Sequence, residues 1–311
     1  TTTTDITLQT ISTQIDASTS PRTPACNNTL NSTQTVTVQM NPTATLTTVP
    51  SRLCHGSTVT FTVNVSSVNT GDKWTMNYKL DGVAQSAATG TGPGSFTFTT
   101  GSTVTSTSDV LSLTDITNNS TQDACITTLT DSRTIAVDPT TVAGVIGHDT
   151  VVCKGGSGFM TQTAAGVGSI VKWQSRVKGN TAWTDINNTN TTINFYNLND
   201  TTEFRAIYQS GLCLEEGSNI KTATPRALPY AVITSTDDTI CAGKATTFVI
   251  NVTNVNVGQS FTVNYVIGST AKSFTATNVA SGNHTITIGA GIFTTTTDIT
   301  LQTISTQIDA S

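Results

Sequence analysis

The sequence predicts an all-β chain of tandem immunoglobulin-like sandwiches, and three observations predict it. Apolar residues alternate with polar ones through much of the chain, as at Val59, Phe61, Val63 and Val65; that is the period of a strand with one buried face. Charged residues make up only 11% of the chain, against about 25% in an ordinary soluble protein. The bias is toward Thr, Val and Ile, which suit half-buried pleated surfaces. Finally, a cysteine-glycine opening recurs at Cys54-His55-Gly56, Cys153-Lys154-Gly155 and Cys241-Ala242-Gly243.

A longer repeat sets the frame. Thr1 to Ser18 and Thr294 to Ser311 read the same letter for letter, TTTTDITLQTISTQIDAS. Such identity identifies one period of a tandem array followed by the start of the next. The expected segments are 1–42, the late part of a domain begun in the preceding repeat; 43–139 and 140–229, two immunoglobulin-like domains; and 230–311, the early part of a domain completed by the next repeat. Each complete segment is about 100 residues, the size of such a sandwich. The joints at Pro42, Pro139 and Pro229 are short and carry proline rather than Gly/Ser tracts, which makes them semi-rigid.

In chain order, Val36 and Val38 alternate with Thr35 and Thr37 in a strand ending at Asn41-Pro42. The Cys54 segment follows with Val59 to Val65, then Trp74, Met76, Tyr78 and Leu80 on a second strand. Asp81-Gly82 is a hairpin turn, since glycine tolerates positive φ. Gly90, Gly92, Pro93 and Gly94 read as a β-hairpin loop, because no strand-loop-helix frame makes them a phosphate cradle. Phe96 and Phe98, then Val110, Leu111 and Leu113, then Ile135 and Val137 mark further strands. The second segment repeats the pattern with Trp173, Ile193, Phe195, and Phe204, Ala206 and Tyr208. The third aligns with the first: Cys54, Phe61, Asn64, Val65 and Tyr78 recur 187 positions later as Cys241, Phe248, Asn251, Val252 and Tyr265.

Six cysteines fall as one early and one late per segment. This reads as one disulfide per domain: Cys54 with Cys125, Cys153 with Cys213, and Cys241 with Cys26 of a neighbouring repeat. A bridge of this kind limits how far a loaded domain extends. No Cys-x-x-Cys occurs, so no metal site is expected.

No catalytic constellation or cofactor site is expected. His55, His148 and His284 lie in unrelated contexts, and Glu203, Glu215 and Glu216 read as a solvated face. Asp237-Asp238 is the one pair of adjacent aspartates, too little for a calcium cage. Trp74 and Trp173 read as core residues rather than ligand platforms. The net charge is −5, which gives nucleic acid no basic footprint. No apolar run approaches the ~18 residues of a membrane span.

The Cys-x-Gly openings, the Trp74-Thr75-Met76-Asn77-Tyr78 strand, the late cysteines and the terminal Asp138-Pro139 and Asn41-Pro42 resemble the giant gliding-motility adhesins (SprB-like) of Bacteroidota. The resemblance implies export by the type IX secretion system and display at the cell surface, associated with the outer membrane. It implies identical repeats joined end to end, carried by gliding machinery and gripping surface polysaccharides. It also implies O-glycosylation at Asp-Thr positions, here Thr150, Thr201 and Thr239. The expected function is a non-enzymatic repeat of an adhesive filament; the alternatives are a non-binding stalk or a pilus-like fibre.

Overall fold

The computed structural model describes residues 2–13, 26–120, 124–147, 149–236 and 239–306. The chain is all-β, and its strands pair into sheets that pack face to face as immunoglobulin-like sandwiches. Among the described residues no helix is long and apolar enough to cross a membrane. The chain divides into two compact units, 1–140 with 211–213, and 141–210 with 214–311.

The first unit opens with a two-stranded antiparallel ladder, β1 (Thr2–Thr13) against β2 (Cys26–Val38). Ile6 sits opposite Gln34 and Thr13 opposite Cys26, with a slip between Leu8 and Thr10. Among the described residues no second sheet covers Ile6 and Leu8, each 58% exposed, or Val36 and Val38, 45% and 51% exposed.

The sandwich of this unit holds β3 (Thr43–Thr48), β4 (Arg52–Cys54), β5 (Thr58–Ser66), β6 (Lys73–Leu80), β7 (Val83–Ala84), β8 (Ala88–Thr91), β9 (Gly94–Thr103), β10 (Ser108–Asn118), β11 (Cys125–Thr128) and β12 (Ser132–Asp138). One sheet runs β3-β5-β9; the other runs β4-β12-β10-β6-β7, with β8 on β6 and β11 on β10. The short β4 pairs parallel with β12, setting Cys54 opposite Asp138. This two-sheet topology is that of an immunoglobulin-like domain. Val59, Phe61, Val63 and Val65 from β5 meet Trp74, Met76, Tyr78 and Leu80 from β6 in one core, as their alternation predicts. The two-residue turn Asp81-Gly82 has positive φ at both positions, 47° and 79°, the geometry that matches strand twist in a hairpin. The Gly90–Gly94 stretch departs from expectation. β8 pairs with β6 and β9 with β5, so the loop crosses between sheets instead of closing a hairpin. Its Gly90 lies opposite Trp74 on the neighbouring strand.

The second unit contains two cores. The first is built by β13 (Val145–Ile146), β14 (Thr150–Cys153), β15 (Gly156–Ala164), β16 (Ser169–Val177), β17 (Thr184–Ile186), β18 (Thr192–Leu198), β19 (Thr202–Gln209), β20 (Glu216–Gly217) and β21 (Lys221–Arg226). Its sheets are β13-β15-β18 and β14-β21-β19-β16-β17, with β20 on β19. Trp173 is fully buried in this core with Phe204, Ala206 and Tyr208. Trp173 Nε1 donates to the Asn190 carbonyl at 2.9 Å, which satisfies the polar edge of a buried indole.

The second core lies between β22 (Tyr230–Thr236), β23 (Thr246–Thr253), β24 (Gln259–Ile267), β25 (Thr270–Val279), β26 (Gly282–Ile288) and β27 (Ile299–Thr306). The sheets are β22-β23-β26 and β25-β24-β27. Among the described residues β27 ends its sheet, whereas β10 of the first sandwich continues into β11, β12 and β4. The duplicated stretch is extended at both places: Ile6 to Thr13 lie in β1 and Ile299 to Thr306 in β27.

Candidate functional site

The cysteine pairing differs from the sequence expectation. Cys54 bonds Cys213, with Cα atoms 4.9 Å apart; the expected Cys54–Cys125 and Cys153–Cys213 bridges do not form. Strand geometry gives the reason. Cys54 ends β4 beside Asp138, just past the pairing of Ser108 with Ala136. Cys125 begins β11 opposite Asn118, at the other end of β10. Ten residues of strand separate the two levels, roughly 33 Å at 3.3 Å per residue, whereas a bridge needs Cα atoms within about 7 Å. The same layout separates Cys153, opposite Arg226, from the exit of β19 at Gln209 that leads to Cys213. Cys153 and Cys241 carry no bridge. The side chain of Cys26 lies outside the described residues, as do His148, Asp237 and Asp238.

A charged clamp holds the Cys54–Cys213 junction. Asp138 is buried and accepts from Arg52 Nε at 2.8 Å, from Arg52 Nη2, and from the Leu212 amide at 2.8 Å. A Cβ added at Gly211 would fall 1.9 Å from Asp138 Oδ2, and its φ is +51°, so only glycine lets the turn press against the carboxylate. The Arg52 guanidinium, then the Leu212 amide, hold the Asp138 carboxyl below the usual carboxylate range. A carboxylate depressed in the folded state stabilises above its unfolded value near ~3.9, and that contribution is lost as pH falls through the folded value. Asp138→Asn is therefore expected to be less stable than wild type at pH 7. The gap should shrink toward zero in acid, measured by urea unfolding across pH; a gap that does not change with pH contradicts the clamp.

Trp74 and Trp173 are buried, in accord with their reading as core residues. Glu203 is not on a solvated face as expected: it pairs with Arg176 Nε at 2.7 Å with little of its side chain exposed. Arg176 on β16 and Arg205 on β19 each lie 4.3 Å from the ring of Trp183, which precedes β17. Lys172 bridges Asp185 and Glu215. His55 is exposed, and the His284 ring packs on Phe261 with centroids 4.8 Å apart. Among the described residues no three His, Cys, Asp or Glu side chains gather. Of the positions implied as glycan acceptors, Thr239 is exposed, whereas Thr150 and Thr201 are half-buried.

The outer face of the β13-β15-β18 sheet carries two exposed aromatic rings. Phe159 on β15 is 62% exposed and Tyr196 on β18 is 70% exposed. Phe159 is paired opposite Asn194, two residues from Tyr196, so the rings occupy diagonal positions on one face. Thr161 and Thr192, whose hydroxyls lie 2.8 Å apart, flank them. Alternation alone could not mark these residues, because Phe195 and Tyr196 are adjacent apolar residues and only the register turns Phe195 inward and Tyr196 out.

A family model described as a domain of unknown function (DUF8696) matches residues 142–226, the β13–β21 sandwich. Comparison with curated proteins gives no match. Among solved structures, the chain is similar to the I-band fragment I67-I69 from titin at 13% identity and TM-score 0.44, over 81% of this chain and 98% of that one. It is also similar to the fibronectin(III)-like modules of Clostridium thermocellum CbhA at 12% identity and TM-score 0.32, over 60% of this chain and 95% of that one.

Proposed function

We propose that this chain is a repeat unit of an adhesive filament at the cell surface, which grips polysaccharide by many weak contacts while the cell glides. In this reading the filament leaves the cell by type IX secretion and is moved by the gliding machinery, with identical repeats following one another. The observation that carries the binding part is the exposed pair Phe159 and Tyr196 beside the Thr161 and Thr192 hydroxyls. Sugar rings offer C–H faces to aromatic rings and hydroxyls to Thr and Asn. An exposed aromatic pair of this kind holds one sugar loosely, and repetition raises avidity without any strong single site. O-glycosylation belongs to the same reading, with Thr239 the position most open to a transferase; intact-mass measurement of the secreted protein tests it.

The binding test is retention of the full chain on immobilised polysaccharides. Phe159→Ala with Tyr196→Ala is expected to lower retention at least about tenfold, the loss of about 1.4 kcal/mol, with unfolding unchanged because both side chains face solvent. If wild type is retained on none of the polysaccharides, the adhesive reading falls and the non-binding stalk replaces it.

A further inference from the structure

We infer that β2 of a second copy of this sequence completes the third sandwich, lying on the open edge of β27 and bonding its Cys26 to Cys153. The first sandwich supplies the internal template. Its β10 pairs with β24's counterpart β6 through Leu111, Leu113 and Ile116; β27 pairs with β24 through Ile299, Leu301 and Ile304. β10 then receives β11 and β12, with Asn118 opposite Cys125 and Asp109 opposite Ile135. The β1–β2 ladder has the same register: Thr13 opposite Cys26 and Thr4 opposite Val36. Val36 and Val38 therefore stand where Ile135 and Val137 stand. Ile135 is fully buried and Val137 is 7% exposed, whereas Val36 and Val38 are about half exposed.

The acceptor edge is ready-made. Residues 6–13 and 299–306 are the same eight residues, and both ladders slip at the equivalent step, Leu8 to Thr10 and Leu301 to Thr303. A strand that pairs with one edge can therefore pair with the other through the same residues. In that register Val36 and Val38 of the second copy fall opposite Thr297 and Thr295. Both threonines line an open groove of about 570 Å³ with Ile233, Ile240, Phe293 and Ile299. Exchange of edges keeps the backbone pairs and adds burial of the two valines, which β1 alone does not provide.

The sulfur follows from the same register. Cys26 of the second copy falls opposite Thr306, and Thr306 shares a cavity of about 160 Å³ with Cys153. Cys153 ends β14 as Cys54 ends β4, each on a parallel ladder, and Cys54 already takes the late cysteine of the following segment. The bond forms by exchange with an oxidised low-molecular-weight disulfide. The Cys153 thiolate attacks it and releases one thiol; the Cys26 thiolate then displaces the second. The two electrons and two protons lost by the cysteines are recovered on the two released thiols.

Two full-length variants test the covalent step. Cys26→Ser and Cys153→Ser chains are mixed in oxidised and reduced glutathione. Peptide mapping is expected to find a Cys153–Cys26 link in the mixture and in neither variant alone. No such link, or equal linkage of Cys26 to Cys125 and Cys241, overturns the covalent step. A synthetic peptide of residues 26–42 with Cys26→Ser, added to the wild-type chain, tests docking without sulfur. Hydrogen exchange of β27 amides should slow at least about tenfold, and the same peptide with Val36→Asp and Val38→Asp should give no slowing. Absence of protection, or equal protection by both peptides, overturns the docking. The inference rests on the repeat and not on adhesion: linkage and protection with no polysaccharide retention would leave it standing and end the adhesive reading.

Discussion

Reducing the Cys54–Cys213 bridge is expected to lengthen a singly pulled chain by up to roughly 570 Å, the contour of 159 residues at about 3.6 Å each. While the bridge is intact, force passes from Cys54 to Cys213 through sulfur, and every residue between them is shielded from load. A Cys54–Cys125 bridge would have enclosed 71 residues, releasing only about 260 Å. The two pairings therefore separate cleanly in a single-molecule trace taken with and without reductant, and an increment near the smaller value would contradict the observed bond. The bridge also limits the unfolded state. Closing a loop of this length contributes about 5 kcal/mol in the chain-entropy model, so chemical unfolding should shift strongly on reduction as well. The clamp around Asp138 adds a second layer, since Arg52, Leu212 and Gly211 hold the turn that presents Cys213.

The strands were legible because burial imposes a period that survives in one dimension. Val59 to Val65 and Trp74 to Leu80 alternate in sequence and are buried in the same alternation. The sulfur pairing was not legible. An early and a late cysteine per segment fit a bridge inside a segment and a bridge to the next one equally well. Only the parallel β4–β12 pairing shows that the early cysteine sits at one pole of the sandwich and the late cysteine at the other. A cysteine at a pole can meet one from a following sandwich but not its own partner. The Arg52–Asp138 contact was hidden for a similar reason: the residues are 86 positions apart, and neither stands in a motif. Gly211 reads as a loop glycine until the carboxylate beside it is seen. The platform at Phe159 and Tyr196 needed the register of β15 on β18, which no local pattern encodes.

Gly90→Ala is expected to destabilise the first sandwich by about 3 kcal/mol, the upper end of the range for overpacking a core, and to lower its melting temperature by roughly 12 °C or more. The usual sign of such a change is the reverse, since replacing glycine at an ordinary backbone position stabilises by about 0.4–1 kcal/mol through the unfolded chain. Here the new Cβ would lie 2.2 Å from the Trp74 ring. The ring has nowhere to retreat. Phe96 packs edge-on at 4.8 Å between centroids, Phe98 at 6.3 Å, and Nε1 donates to the Gly92 carbonyl at 3.0 Å. Swinging the indole away breaks that bond and leaves a buried N–H unpaired, which costs about 1–3 kcal/mol; keeping it in place forces β8 off β6. The atoms struck belong to the outer six-membered ring, which phenylalanine lacks at that reach. Trp74→Phe should thus destabilise on its own by leaving a void, yet the double variant Gly90→Ala with Trp74→Phe should be at least about 1 kcal/mol more stable than the sum of the single losses. Additive losses in calorimetry would show that Gly90 is required for some reason other than the indole lying over it.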